Sequence, residues 1–201
     1  MQQLANLGTS TATPFGGLDP AVLVRARASL RFDETRLVLD HWSSLTTGDR
    51  LPGRRDLRPE EMLPVLGDLW IMDYVRDASR LRYRLVGDEI RSRYDFPLVG
   101  KYLDEVVAPG AYPRVAGYFL ACTERPAITL LIGRLYHEWQ RPGEGERLLL
   151  PLFGAEGFAE GLLGITICRR TYGDRSSAEH SSERRMLILP LDGAPVTDET
   201  T

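Results

Sequence analysis

His137 ends the apolar run ITLLIGRLYHEW (128–139), and an unperturbed imidazole titrates near neutral pH, so it is the side chain best suited to proton transfer. On strand alternation it shares a face with Leu131, Leu135 and Trp139, while Glu138 points the other way. The two therefore do not form an acid–base pair. A histidine hydrogen-bonded at a strand end explains the residue without chemistry. His41, His137 and His180 lie far apart and have no cysteine or histidine at metal-ligand spacing. Cys122 and Cys168 read as two small buried thiols in a reducing compartment. The neighbours Glu60 and Glu61, like Asp104 and Glu105, suit solvated helix starts better than a shared substrate. GEGE (143–146) lacks the third glycine of a dinucleotide loop and leads into a strand. There is no phosphate-binding lysine loop, no G-x-S-x-G elbow and no H-E-x-x-H. These absences point away from an enzyme.

Bulk composition narrows the partners. The chain of 201 residues is 43% hydrophobic, enough for one core of ordinary size. A net charge of −3 supplies no basic face for a phosphate backbone, so nucleic acid is not an expected partner. The N-terminal stretch has no basic and apolar signal regions, and no run approaches the roughly 18 apolar residues of a membrane span. A cytoplasmic protein without membrane contact is expected. Lys101 is the only lysine among 25 basic residues, a bias from which no function follows.

Any site must be positioned by the following elements. Residues 1–18, rich in small and polar types, read as a disordered arm. Residues 19–46 form a helical region: Asp19-Pro20 opens one stretch, and Val38, Trp42 and Leu45 share a face on the next, which Gly48 ends. Pro52, Pro59 and Pro64 make 51–68 a crossing loop with at most one short turn. LWIMDYV (69–75) and RLRYRLV (80–86) read as a hairpin joined by RDAS. Short helices are expected in GDEIRSRYDF and LVGKYLDEVV, and a longer one in YPRVAGYFLACTERPA. Three strands follow at 128–139, 147–153 and 161–170, and 171–201 is a polar C-terminal tail apart from MLILPL (186–191), which could cap the sheet or bind a partner.

LPGRRDLRPEEMLPVLGDLWIMD, YRLVGDEI, LVGKYLDEV and LLLPL, in that order, resemble the single-domain PAS proteins common in alphaproteobacteria. The resemblance covers roughly residues 37–170. It implies an α+β fold, a five-stranded antiparallel sheet with helices on one face, for a PAS-like domain at 47–170. It also implies a non-catalytic sensory or regulatory module with a small-molecule cavity between sheet and helices, which signals to a partner protein by contact. A ligand-free interaction or dimerisation scaffold is the alternative. Flavin relatives need a reactive cysteine in an Asn-Cys-Arg-type loop, whereas Cys122 sits in ACTER; haem relatives need a crossover-helix histidine, absent from 112–127. No flavin, haem or metal cofactor is therefore expected. Candidate cavity residues at the implied seam are Trp70, Tyr83, Arg84, Tyr94, Tyr118 and His137. Arg84 must face water or satisfy its donors on a carboxylate, with Asp73 on the neighbouring strand the candidate. Pro151 inside a central strand calls for a bulge. With Val38, Trp42 and Leu45 packed on the outer sheet face, Val22, Leu23 and Leu30 are left in water, and a homodimer through the N-terminal helices is expected to bury them.

Overall fold

The computed structural model describes residues 17–48, 50–135, 144–169 and 184–200. The Asp19 carboxylate accepts the Ala21 N–H at 2.8 Å and Pro20 takes the first turn, which starts helix α1 (Pro20–Ser29). Extended backbone at Leu30 ends it, so α2 (Asp33–Ser44) is a separate helix. The proline-spaced segment is more regular than expected. It holds 3₁₀ turns at Arg54–Asp56 and Pro59–Asp68, the second kinked at Met62. Pro59 opens the second turn and the kink at Met62 puts Pro64 in the first turn after it, where the N–H that proline lacks has no helical partner.

Next come β1 (Leu69–Val75), β2 (Arg80–Val86), the short helices α3 (Asp88–Arg91) and α4 (Leu103–Val106), and the longer α5 (Tyr112–Glu124). β3 (Ala127–Arg134), β4 (Glu144–Phe153) and β5 (Ala159–Arg169) form the meander. β6 (Arg185–Pro190) and β7 (Thr197–Thr200) follow. One sheet contains all seven strands in the order β2-β1-β5-β4-β3-β6-β7, with every pairing antiparallel.

Three expectations are corrected. The sheet has seven strands rather than five, because MLILPL pairs with β3 and brings β7 with it, so 184–200 is part of the sheet and not a polar tail. The outer face is covered by α1 as well as by α2, whereas only the second helical stretch was expected there. Alternate residues of β3, β4 and β5 enter two separate cores: Ile128, Leu130, Leu148, Leu150, Leu163 and Ile165 pack toward α1 and α2, while Leu131, Leu149 and Leu162 pack toward α5. We call these the outer and inner faces. Finally, Val22 and Leu30 are buried against the chain's own outer face and Leu23 packs at its margin, so no apolar stripe remains there to drive the expected homodimer. As expected, Val38 and Trp42 pack on that face.

Two polar ties hold α2 to β4. The first is Glu146, fully buried, whose carboxylate accepts the Arg31 N–H at 2.8 Å and the Thr35 hydroxyl. Phe32 offers no side-chain cap at this helix start, and Glu146 occupies that role from a distant strand. The second is Trp42 Nε1, which donates to the Pro151 carbonyl at 2.9 Å. This bond also explains how a proline fits. The β3–β4 pairing stops at Thr129↔Leu149, so Pro151 has no β3 residue opposite. N–H and C=O of one strand residue point to the same side, and here that side faces Trp42. The register shift lies one residue further, between Leu152 and Phe153.

Glu146→Ala leaves the Arg31 N–H without its acceptor and the Thr35 hydroxyl with the Phe32 carbonyl alone, and urea unfolding should show a loss of about 1–3 kcal/mol. Glu146→Gln, which keeps a carbonyl acceptor, should lose less.

Candidate functional site on the inner face

Trp70 and Met72 of β1, Leu149 of β4 and Leu162 of β5 line the inner face, and α5 lays Tyr118, Phe119 and Cys122 over them. The rings of Trp70 and Phe119 stack at 5.4 Å, Tyr118 tilts against Phe119 at 5.0 Å, and Tyr83 lies 6.3 Å from Trp70. Space for the indole comes from Gly164 on β5, where a Cβ would stand 2.2 Å from the Trp70 ring. Trp70 Nε1 donates to the Thr166 hydroxyl at 3.0 Å.

Arg147 of β4 enters the same cluster. Its Nε donates to Thr166 Oγ1 at 3.0 Å and one terminal nitrogen to the Tyr118 hydroxyl at 3.3 Å. The guanidinium carbon stands 6.0 Å from the Trp70 ring and 5.9 Å from the Phe119 ring, within cation–π range. Beside it, Arg93 donates to the Cys168 carbonyl at 3.2 Å. Burial raises the Cys168 thiol, an effect that Arg93 and Arg147 partly oppose. Burial pushes the Cys122 thiol far above its ordinary range, and its Sγ lies 3.1 Å from the Ala127 carbonyl. A thiol in that state is a poor nucleophile.

The expected site residues are therefore divided. Trp70, Tyr83 and Tyr118 come together, and Tyr94 packs at the margin of their cluster, 5.7 Å from Phe96. Arg84 does not join them. It lies half-exposed and donates to Asp73 at 3.2 Å, the pairing expected from the sequence. His137 lies outside the described residues. Arg147, Thr166 and Gly164 were missed. Counting outward by twos from Leu149, a core residue of the LLLPL run, puts Arg147 on the inner face, and that alternation was the available signal.

The profile of the PAS domain family matches residues 31–167, well over half of the chain. The chain belongs to the PAS domain family. No curated protein and no solved structure shows a significant match to it. Within this PAS chain the matched segment runs from the α1–α2 link into β5, so α1, β6 and β7 lie outside it. PAS domains are characteristically non-catalytic, and the described residues contain no group of three or more His, Cys, Asp or Glu able to hold a metal ion. No helix among the described residues is long and apolar enough to cross a membrane.

Gly164→Ala forces a methyl into the Trp70 indole and should cost about 1–3 kcal/mol in denaturant unfolding. In a Trp70→Leu background the same change should cost much less, and this non-additivity is the sign of direct contact.

Proposed function

We propose that this PAS domain is a sensory or regulatory module that takes up a small molecule on the inner face, at Trp70, Tyr118 and Arg147, and signals by contact with a partner protein. The observation that carries the reading is Arg147. A guanidinium threaded between rings and a threonine hydroxyl is a poor investment in stability, because well-packed apolar residues usually serve as well or better. Its planar fork suits a carboxylate or phosphate, and the neighbouring rings suit an apolar body. The ligand class is thus a small molecule with a flat or apolar body and an acidic group.

A ligand-free scaffold is the second reading, supported by the close stacking of Trp70 on Phe119. Native mass spectrometry of the full chain purified from cells separates the two. Sensing predicts an extra mass that is released on denaturation and lost in Arg147→Met. A bare chain in both forms, with Arg147→Met at least as stable as the parent, supports the scaffold and ends the ligand reading.

A further inference from the structure

The outer face of the β1–β2 hairpin lies beyond the cover of α1 and α2, and two clefts flank it. One, of about 790 Å³, is walled by the 50–56 segment and the β4–β5 turn. The other, of about 490 Å³, runs between the Pro59–Asp68 turn and Leu85–Asp88. Arg54 and Ile71 line both, so the two clefts adjoin, and we call the pair the groove.

Its chemistry changes along its length. Asp73 receives Arg54 at 2.7 Å, Arg84 at 3.2 Å and Arg82 at 3.6 Å, so one carboxylate serves three guanidinium groups. Each of these arginines keeps about half of its side chain in water, with most of its five donors unspent on Asp73. Arg50 pairs with Asp56, whose carboxyl is held below its usual range by the Gly53 N–H and then by Arg50. Arg55 has no ion pair among the described residues. Counting Arg55 and the arginines that pair with the lining carboxylates, six guanidinium groups meet four carboxylates, Asp56, Asp73, Asp88 and Glu160, on a chain whose net charge is −3. The other end is apolar, with Leu66 36% and Leu85 48% exposed across the groove.

We propose that this groove docks an acidic, leucine-bearing peptide segment of a partner protein, carboxylates on Arg54 and Arg55 and an apolar side chain between Leu66 and Leu85. A small anion would leave the apolar half unexplained. A second copy in a two-fold contact would set arginine against arginine. The inference does not rest on the inner-face ligand, since Arg54, Arg55, Leu66 and Leu85, which carry it, lie outside that cluster.

The test uses the full chain and a fluorescent synthetic peptide of about 12 alternating Glu and Leu residues, read by anisotropy. Saturable binding that weakens steeply with salt is expected, and Arg54→Glu with Arg55→Glu should lower affinity about tenfold, or about 1.4 kcal/mol. Arg55→Glu alone, which breaks no internal pair, and Leu85→Ser should each lower it too. Arg25→Glu on α1 should leave it unchanged, and so should Arg147→Met, which separates this proposal from the inner-face reading. Absence of saturable binding overturns the proposal, as does equal binding of a Gln-for-Glu peptide or parent affinity in the arginine variants. Equal binding of polyglutamate reduces the groove to an anion site, and light scattering that shows a dimer broken by Arg55→Glu assigns it to a second copy; either result overturns the peptide.

Discussion

The fold depends on a sheet whose central strands are apolar on both faces. β4 and β5 carry Leu148, Leu150, Leu163 and Ile165 on one side and Leu149 and Leu162 on the other, all essentially removed from water. A sheet of that kind needs two covers, and a single helical layer would leave one set of these side chains in solvent. α5 supplies one cover, and α1 with α2 supplies the second. Apolar packing alone tolerates sliding, so the placement of α2 is specified by polar contacts at its two ends, Glu146 to the Arg31–Thr35 start and Pro151 to Trp42. Both β4 groups would be costly to bury without these partners.

The sequence carries this constraint in its unbroken apolar runs. The ITLLI, LLLPL and LLGITI runs were placed as strands in the correct order, as were the β1–β2 hairpin and α5. Unbroken apolar runs, unlike alternating ones, mean burial on both sides, and that inference leads to a second helical layer. It was obscured at α1, where Val22, Ala26 and Leu30 are buried while Val24 is exposed, a weakly sided helix that reads as surplus rather than as cover. MLILPL was read as a possible cap of the sheet, but its pairing with β3 and the strand β7 were hidden for a different reason. β6 lies beside β3, more than fifty residues earlier in the chain, and local patterning cannot reveal a partner at that separation.

The candidate site was legible in its apolar members and opaque in its polar ones. Trp70, Tyr83 and Tyr118 stood out by size and by their place at the expected seam, and packing brings them together. Arg147 precedes the LLLPL run and reads as a strand start facing water; the register Arg147↔Thr166 and the rings of β1 and α5 give it an interior position. Gly164 likewise acquires meaning only once Trp70 is known to pair opposite it. Arg84 shows the reverse error. Its pairing with Asp73 was readable, and alternation beside the inward Tyr83 already puts it on the outer face, away from the aromatic cluster.

β1 belongs to both proposed surfaces. Trp70 and Met72 face the rings, Ile71 and Asp73 face the groove, and the irregularity in the pairing with β2 falls between them. The two surfaces differ in readiness. The outer groove is already open, whereas the inner cluster is filled by its own rings, with Trp70 against Gly164 on one side and Phe119 on the other. A ligand entering there must displace a ring, and its apparent affinity falls by the fraction of chains already rearranged. That cost is what gives an occupied state a packing distinct from the empty one. Because Trp70 and Ile71 are consecutive residues of one strand, the strand that carries the ring also forms the floor of the groove.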